Sequence, residues 1–127
     1  MRRPYILIVE DETIVAKDIE FTLEGMGYGV AGIADSGEDA VELAEKTRPD
    51  LILMDVKLRG RMDGIEAAKR ISACHSMPII LLSAFPDRLR TDGDAGNVRA
   101  YMIKPFNERI LESTIKTVLR KSAHKMG

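Results

Sequence analysis

The chain has 127 residues, with 19 basic and 20 acidic side chains and a formal charge of −1 at pH 7. This length suits one domain that buries its own core, and the lack of a basic excess argues against a general nucleic-acid binder. The single cysteine, Cys74, excludes an internal disulfide and favours a reducing compartment. The first apolar run, of five residues, is too short for a signal-peptide core or a membrane span. We therefore expect a cytoplasmic single domain that does not contact membranes.

Short apolar runs alternate with segments of helical spacing along the chain. The apolar runs cover residues 5–9, 29–34, 51–54, 77–82 and 100–103. Between and after them, apolar residues recur at the spacing of one helix face: Val15, Ile19, Leu23 and Met26; Ala40, Val41 and Ala44; Ile65, Ala68 and Ile71; Leu111, Ile115, Val118 and Leu119. This alternation predicts an α/β fold in which a parallel sheet carries helices on both faces.

Two helix starts and one weak segment can also be predicted. Ser36 and Asp39 have the spacing of a capping box, and Asn107 suits the N-cap of the last helix. A further helix belongs at 87–97, between the fourth and fifth strands, but this segment contains Gly93 and Gly96 and few apolar residues. We expect that helix to be short, frayed or mobile.

Polar residues follow four of the five predicted strands. Glu10 and Asp11 follow the first strand, Asp55 the third, Ser83 the fourth and Lys104 the fifth. Ligands of open α/β sheets bind outside the carboxyl ends of the strands. We therefore expect these side chains to converge on one crevice.

The chemistry of that crevice can be argued from charge. Carboxylates at close range raise one another's pKa unless a cation lies between them, and Mg²⁺ is a cation that binds carboxylate and phosphate oxygens. The ammonium of Lys104 and the hydroxyl of Ser83 also suit phosphate oxygens. An aspartate in such surroundings can attack phosphorus, so we predict that Asp55 becomes an aspartyl phosphate.

Five stretches carry a resemblance to a known family: ILIVEDE, LILMD, MDGIE, IILLSA and YMIKPF. In this order, across about residues 5–120, they resemble the receiver domain of two-component response regulators. The resemblance implies a flavodoxin-like, doubly wound sheet of five βα units with strand order 2-1-3-4-5. It also implies that Asp55 accepts a phosphoryl group from a histidine kinase or a histidine phosphotransfer protein.

The resemblance also implies roles for the remaining site residues. Asp11 and Asp55 would bind Mg²⁺ directly, Glu10 would act mainly through water, and the backbone carbonyl of Lys57 would complete the protein ligands.

Ser83 and Lys104 would bind the phosphoryl oxygens, and the bond between Lys104 and Pro105 would be cis. Tyr101 would turn inward as Ser83 moves towards the phosphate. This movement would alter the face formed by the 87–97 helix, the fifth strand and the last helix, and so control a target protein or an output domain.

Besides the weak helix at 87–97, the chain departs from the usual receiver pattern in two places. The loop VKLRGRMDG after Asp55 is one residue longer than in most receivers, which leaves its geometry open. No output domain follows the last helix, so residues 1–127 are interpreted as one receiver domain. A stand-alone protein and one domain of a longer protein both remain possible, as does a homodimer.

Two other functions fit less well. An aspartyl-dependent phosphohydrolase usually carries a D-x-D motif and a cap, but Lys57 stands at the second acidic position and no cap-sized insertion occurs. An interaction domain that keeps only the fold would be favoured by loss of Asp11, Asp55 or Lys104, and none is lost. We therefore predict a signalling module whose own chemistry is self-phosphorylation and slow self-dephosphorylation, tuned by Lys57 and Phe85.

Overall fold

The computed structural model describes residues 2–84 and 96–126. Within them, the strands are β1 (Tyr5–Val9), β2 (Gly29–Ala34), β3 (Leu51–Asp55), β4 (Ile79–Ser83) and β5 (Val98–Ile103). The helices are α1 (Thr13–Gly25), α2 (Gly37–Thr47), α3 (Gly64–Cys74) and a last helix (Glu108–Met126). The predicted strand–helix alternation is confirmed over these ranges.

The strands form one parallel sheet in the order β2-β1-β3-β4-β5. This is the predicted flavodoxin-like order, in which the chain reverses direction across the sheet between β1 and β3. In the register of the central strands, Asp55 at the end of β3 pairs with Leu82 of β4. Ser83, the last residue of β4, pairs with Ile103 of β5. The carboxyl ends of these strands therefore lie at one edge.

Two hydrophobic cores lie on opposite faces of the sheet, because successive side chains of a strand point to opposite sides. On one face, Ile52 and Met54 of β3 pack with the apolar residues of α2 and α3. On the other face, Leu51 and Leu53 pack with those of α1 and the last helix. Strands covered in this way on both faces can be apolar throughout, as β3 and β4 are. The predicted helix faces are therefore confirmed.

The two predicted helix caps are also present. The Ser36 hydroxyl accepts a hydrogen bond of 3.0 Å from the Asp39 amide at the start of α2. The Asn107 side chain accepts one of 2.8 Å from the Ile110 amide at the start of the last helix. Each bond satisfies an amide that has no partner within its helix.

Some predicted boundaries differ from the structure. β4 begins at Ile79 rather than at residue 77, since Pro78 has no amide hydrogen to contribute to a ladder. β5 begins at Val98, two residues earlier than predicted, because it is an edge strand with alternating exposure and lacks a continuous apolar run. Of the weak helix predicted at 87–97, only residues 96 and 97 are described, and Phe85 also lies outside the described residues.

Across residues 2–84 and 96–126, none of the helices combines the length and the apolar character that a membrane span requires.

Candidate functional site

Three carboxylates meet at the carboxyl edge of the sheet. One oxygen from each of Glu10, Asp11 and Asp55 lies within 4.8 Å of the other two. Glu10 is only 2% exposed and Asp55 only 6%, whereas Asp11 is partly exposed. Of the side chains predicted to converge, these three carboxylates are therefore observed together, and two of them lie at a depth where an unpaired charge is costly.

Lys104 supplies the compensating positive charge. Its Nζ atom lies 2.9 Å from Oδ2 of Asp55 and 3.3 Å from Oε1 of Glu10. Burial alone would lower the pKa of the Lys104 ammonium, but the hydrogen bonds to Asp55 and Glu10 and their charges outweigh it, so this pKa lies above its ordinary value. Lys104 is therefore held in its charged form between the two buried carboxylates.

Glu10 has the opposite electrostatic balance. Burial raises the pKa of Glu10 above its ordinary value, and the charge of Asp55 raises it further. A hydrogen bond of 3.0 Å from the Glu12 amide to Oε2 of Glu10 lowers this pKa, as does the charge of Lys104, without cancelling the effect of burial. The charged form of Glu10 is therefore disfavoured here, and a further cation would stabilise it.

The backbone fixes Ser83 beside this cluster. Ser83 is 3% exposed, and its carbonyl accepts a hydrogen bond of 2.9 Å from the amide of Lys104. The amide of Val56, directly after Asp55, donates to the carbonyl of Leu82 at 2.9 Å. Neighbouring strand ends thus hold Asp55, Ser83 and Lys104 in register.

Gly64 allows α3 to begin directly against β3. Its amide donates to the carbonyl of Val56 at 2.8 Å, and a Cβ atom at this position would overlap the carbonyl oxygen of Asp55. A side chain at Gly64 would therefore have to displace the backbone that carries Asp55.

The structure also shows the state of three other features named from the sequence. The Lys104–Pro105 bond is cis, as the resemblance implied. Lys57, two residues beyond Asp55, is exposed in the loop that leads to α3. Tyr101, on β5, is 47% exposed, so its ring lies outward here and not in the inward position expected after phosphorylation.

Arg59 contacts the backbone of a site residue, and the sequence did not indicate this contact. Its Nη2 atom donates a hydrogen bond of 2.9 Å to the backbone carbonyl of Asp11. The backbone of Arg59 also forms an isolated parallel bridge with Ser36, the N-cap of α2. The length of the loop after Asp55 was the only available signal, and it does not indicate which residue reaches across.

The donor set fits Mg²⁺. It consists of hard carboxylate oxygens, two of them from buried side chains that share one ammonium, and Mg²⁺ commonly binds one or two carboxylates together with phosphate oxygens. Ser83 and Lys104, at the ends of the neighbouring strands β4 and β5, provide a hydroxyl and an ammonium, which are groups that can bind a phosphoryl group. Carboxylates that could hold a divalent metal ion, with a hydroxyl and an ammonium at neighbouring strand ends of a 2-1-3-4-5 sheet, are typical of a phosphoacceptor signalling module.

This chain belongs to the response regulator receiver domain family, whose model matches residues 6–116. Proteins of this class are signalling domains that receive a phosphoryl group at an active site that binds Mg²⁺. The transcriptional regulatory protein PdtaR of Mycobacterium tuberculosis is 44% identical over 104 residues, which cover 80% of this chain and 50% of PdtaR. The chain spans about half the length of the curated relatives it matches.

Solved structures agree with this assignment. The receiver domain of a modulated diguanylate cyclase from Desulfovibrio desulfuricans G20 superposes with a TM-score of 0.87 at 34% identity, over 97% of this chain and 98% of that one. The receiver domain of the sensor histidine kinase PA1611 from Pseudomonas aeruginosa PAO1 has a TM-score of 0.78 at 33% identity, over 92% and 98% of the two chains. In that structure a magnesium ion is coordinated in the active-site cleft.

Proposed function

We propose that Asp55 is the phosphoacceptor of this receiver domain. The observation that carries the proposal is the position of its buried carboxylate, 2.9 Å from the Lys104 ammonium and beside the carboxylates of Glu10 and Asp11. An oxygen of Asp55 attacks phosphorus, the new P–O bond forms as the bond to the donor breaks, and the donor leaves with its electron pair. With a phosphohistidine donor, the imidazole leaves with the electron pair of the broken P–N bond and takes up a proton from solvent.

Mg²⁺ is the proposed cofactor. Asp11 and Asp55 bind it directly, Glu10 contributes mainly through water, and the backbone carbonyl of Lys57 completes the protein ligands. When bound, the ion neutralises the charge that develops on the phosphoryl oxygens. The charge of the site supports this assignment. Among the described residues, Lys104 is the one cation that forms ion pairs with the carboxylates of Glu10 and Asp55, so one negative charge of the two is not neutralised.

Ser83 and Lys104 are proposed to bind the phosphoryl oxygens. Both lie at strand ends beside Asp55, and Lys104 already contacts the carboxylate that would be modified. Phosphorylation adds negative charge and acceptor oxygens at this point, which draws the Ser83 hydroxyl towards the phosphate. Tyr101 then moves from its outward position, and the face formed by β5, the last helix and the 87–97 segment changes.

The proposed donor is a histidine kinase or a histidine phosphotransfer protein, and the proposed readout is a target protein or an output domain. The length of the curated relatives, about twice the matched region, supports an output domain as the alternative to a separate target.

Three large apolar residues are exposed among the described residues of β5 and the last helix: Tyr101, Ile103 and Ile110. Their exposure supports a docking partner or a homodimer on that face. Residues 5–120 form the receiver unit, which we place in the cytoplasm.

Intact mass after incubation with acetyl phosphate tests this proposal. The wild type should gain one phosphoryl group in the presence of Mg²⁺ and none in its absence, and Asp55→Asn should gain none. Asp35→Asn is the matched control, because Asp35 follows β2 at the same edge of the sheet but is exposed and does not belong to the carboxylate cluster. It should be phosphorylated like the wild type.

Two outcomes would contradict the proposal. An adduct of the same yield in Asp55→Asn would place the modification elsewhere. Absence of an adduct in the wild type, together with absence of beryllofluoride binding in the presence of Mg²⁺, would indicate a fold kept for interaction alone.

A further inference from the structure

Arg59 joins two loops that lie 48 residues apart in the sequence. From the loop after β3 it donates its 2.9 Å hydrogen bond to the carbonyl of Asp11, in the loop after β1. Asp11 is itself a member of the carboxylate cluster. An exposed arginine is therefore in contact with the backbone, and not the carboxylate, of a site residue.

The backbone of Arg59 is anchored. It pairs with Ser36 at the N-terminus of α2, and the next residue, Gly60, turns the chain with a positive φ of 92°. A side chain at Gly37 would overlap Met62, so the loop also packs closely on the first turn of α2. Because the main chain of Arg59 is held against the start of α2, its side chain reaches Asp11 from a backbone position that is restrained.

The hydrogen bond from Arg59 is made to the peptide group between Asp11 and Glu12, which also contacts the carboxylate of Glu10. The carbonyl of Asp11 and the amide of Glu12 belong to one planar peptide. Arg59 holds the carbonyl end at 2.9 Å, and the amide end donates to Oε2 of Glu10 at 3.0 Å. Fixing the carbonyl therefore fixes the direction of the amide that binds Glu10, and a charged donor on one end of a peptide strengthens the hydrogen bond at its other end.

We infer that Arg59 is a positioning residue for the metal site, holding the Asp11–Glu12 peptide so that the carboxylates of Glu10 and Asp11 face the ion. The inference rests on the proposed function, since it assumes that this cluster binds Mg²⁺. The extra length of the loop after Asp55 then has a use, because it carries the guanidinium across the edge of the sheet to the β1–α1 loop.

Two effects of Arg59 on Mg²⁺ binding have opposite signs and can be separated. As a positive charge near the cluster, it would repel the ion, so its removal would tighten binding. As a positioning group, it preorganises two ligands, so its removal would weaken binding. The loss of one hydrogen bond of this kind corresponds to about a three- to tenfold change in an equilibrium constant. The direction of the change therefore identifies the dominant effect.

The experiment measures the Mg²⁺ dissociation constant by titration calorimetry for the wild type, Arg59→Ala and Arg59→Lys. Arg61→Ala is the matched control, because Arg61 is exposed in the same loop and has no hydrogen bond among the described residues. We expect Arg59→Ala to weaken Mg²⁺ binding about three- to tenfold. Arg59→Lys, which keeps a charged donor, should recover part of the loss, and Arg61→Ala should equal the wild type.

A second readout separates positioning from general destabilisation. Thermal unfolding without Mg²⁺ should be nearly the same for all four proteins, since Arg59 is exposed. The rate of phosphorylation by acetyl phosphate should fall in Arg59→Ala at low Mg²⁺ and return to the wild-type maximum at saturating Mg²⁺.

Each contrary outcome has a distinct meaning. Unchanged or tighter Mg²⁺ binding in Arg59→Ala would overturn the inference and leave the proposed function intact. Equal weakening in Arg61→Ala would show that the effect does not depend on the hydrogen bond from Arg59 to the Asp11 carbonyl, which also overturns it. If the wild type itself bound no Mg²⁺ and formed no adduct, the proposed function would fail, and the role of Arg59 with it.

Discussion

The ammonium of Lys104 lies 2.9 Å from Oδ2 of Asp55, although the two residues are 49 positions apart in the sequence. The same ammonium lies 3.3 Å from Glu10, so one cation is shared by two buried carboxylates. In the absence of a metal ion, the ammonium of Lys104 offsets part of the free-energy cost of burying the two carboxylates.

Lys104→Met should destabilise the metal-free protein at neutral pH by about 1–3 kcal/mol, because it leaves Glu10 and Asp55 buried without their common donor. Urea unfolding in the presence of a chelator measures this loss. Added Mg²⁺ should restore part of it, since a divalent cation neutralises the same carboxylates. Lys116→Met, which removes the exposed ion pair with Glu112, is the control and should change stability by less than about 1 kcal/mol. Equal losses in the two variants would contradict the prediction.

Glu10→Gln should stabilise the metal-free protein increasingly as the pH rises. The folded-state pKa of Glu10 lies above its ordinary value of 4.5, chiefly because the side chain is buried. The stability it contributes is therefore complete below pH 4.5 and is lost as the pH rises through the folded-state pKa. The variant has no such loss, so its advantage over the wild type should grow through this range.

Denaturant unfolding at several pH values in the presence of a chelator tests this dependence. Glu42→Gln, exposed on α2, controls for the loss of one negative charge. An advantage of Glu10→Gln that stayed constant or shrank with rising pH would refute the predicted direction.

Gly64→Ala should cost about 1–3 kcal/mol of stability, because the added methyl group overlaps the carbonyl of Asp55 and forces the backbone apart. It should also slow phosphorylation, since the backbone that moves carries Asp55, the proposed acceptor. Gly25→Ala is the control: nothing lies within 4 Å of a Cβ atom at the end of α1, so stability should be unchanged or slightly higher. A neutral Gly64→Ala variant would show that α3 can shift freely.

Ser36→Ala should lower stability by about 1 kcal/mol, because the Asp39 amide loses its side-chain acceptor. Mg²⁺ affinity should be unchanged, since the pairing of Ser36 with Arg59 is made by the backbone and survives the substitution. Thermal unfolding and calorimetric Mg²⁺ titration on the same samples measure the two quantities. A parallel loss of Mg²⁺ affinity would show that the α2 cap and the site are not separable.

The sequence predicted those parts of the molecule that depend on local pattern. Continuous apolar runs placed the central strands, because both of their faces are covered, and helical spacing placed the buried faces of α1, α2 and α3. The edge strand β5 was predicted two residues short, since alternation over a half-exposed strand gives a weaker signal. The residues of the site came from the rule that strand ends converge, together with the family resemblance.

What the sequence could not supply are contacts between side chains and backbone across loops. The carbonyl that accepts from Arg59 is present in every residue type, so no pattern of side chains marks Asp11 as its partner. The sharing of Lys104 between two carboxylates likewise depends on distances set by strand register.

Glu10 and Lys104, which form an ion pair, are 94 residues apart in the sequence, so the site can form only late in folding. During synthesis, the acidic residues that follow β1 emerge first, but Lys104 is added only after most of the chain has been made. Closing so large a loop requires the intervening strands to be paired, since the entropy of a long open loop opposes the contact. Competence to accept a phosphoryl group is thus a property of the completed sheet, and an unfinished chain would hold acidic groups without a working site.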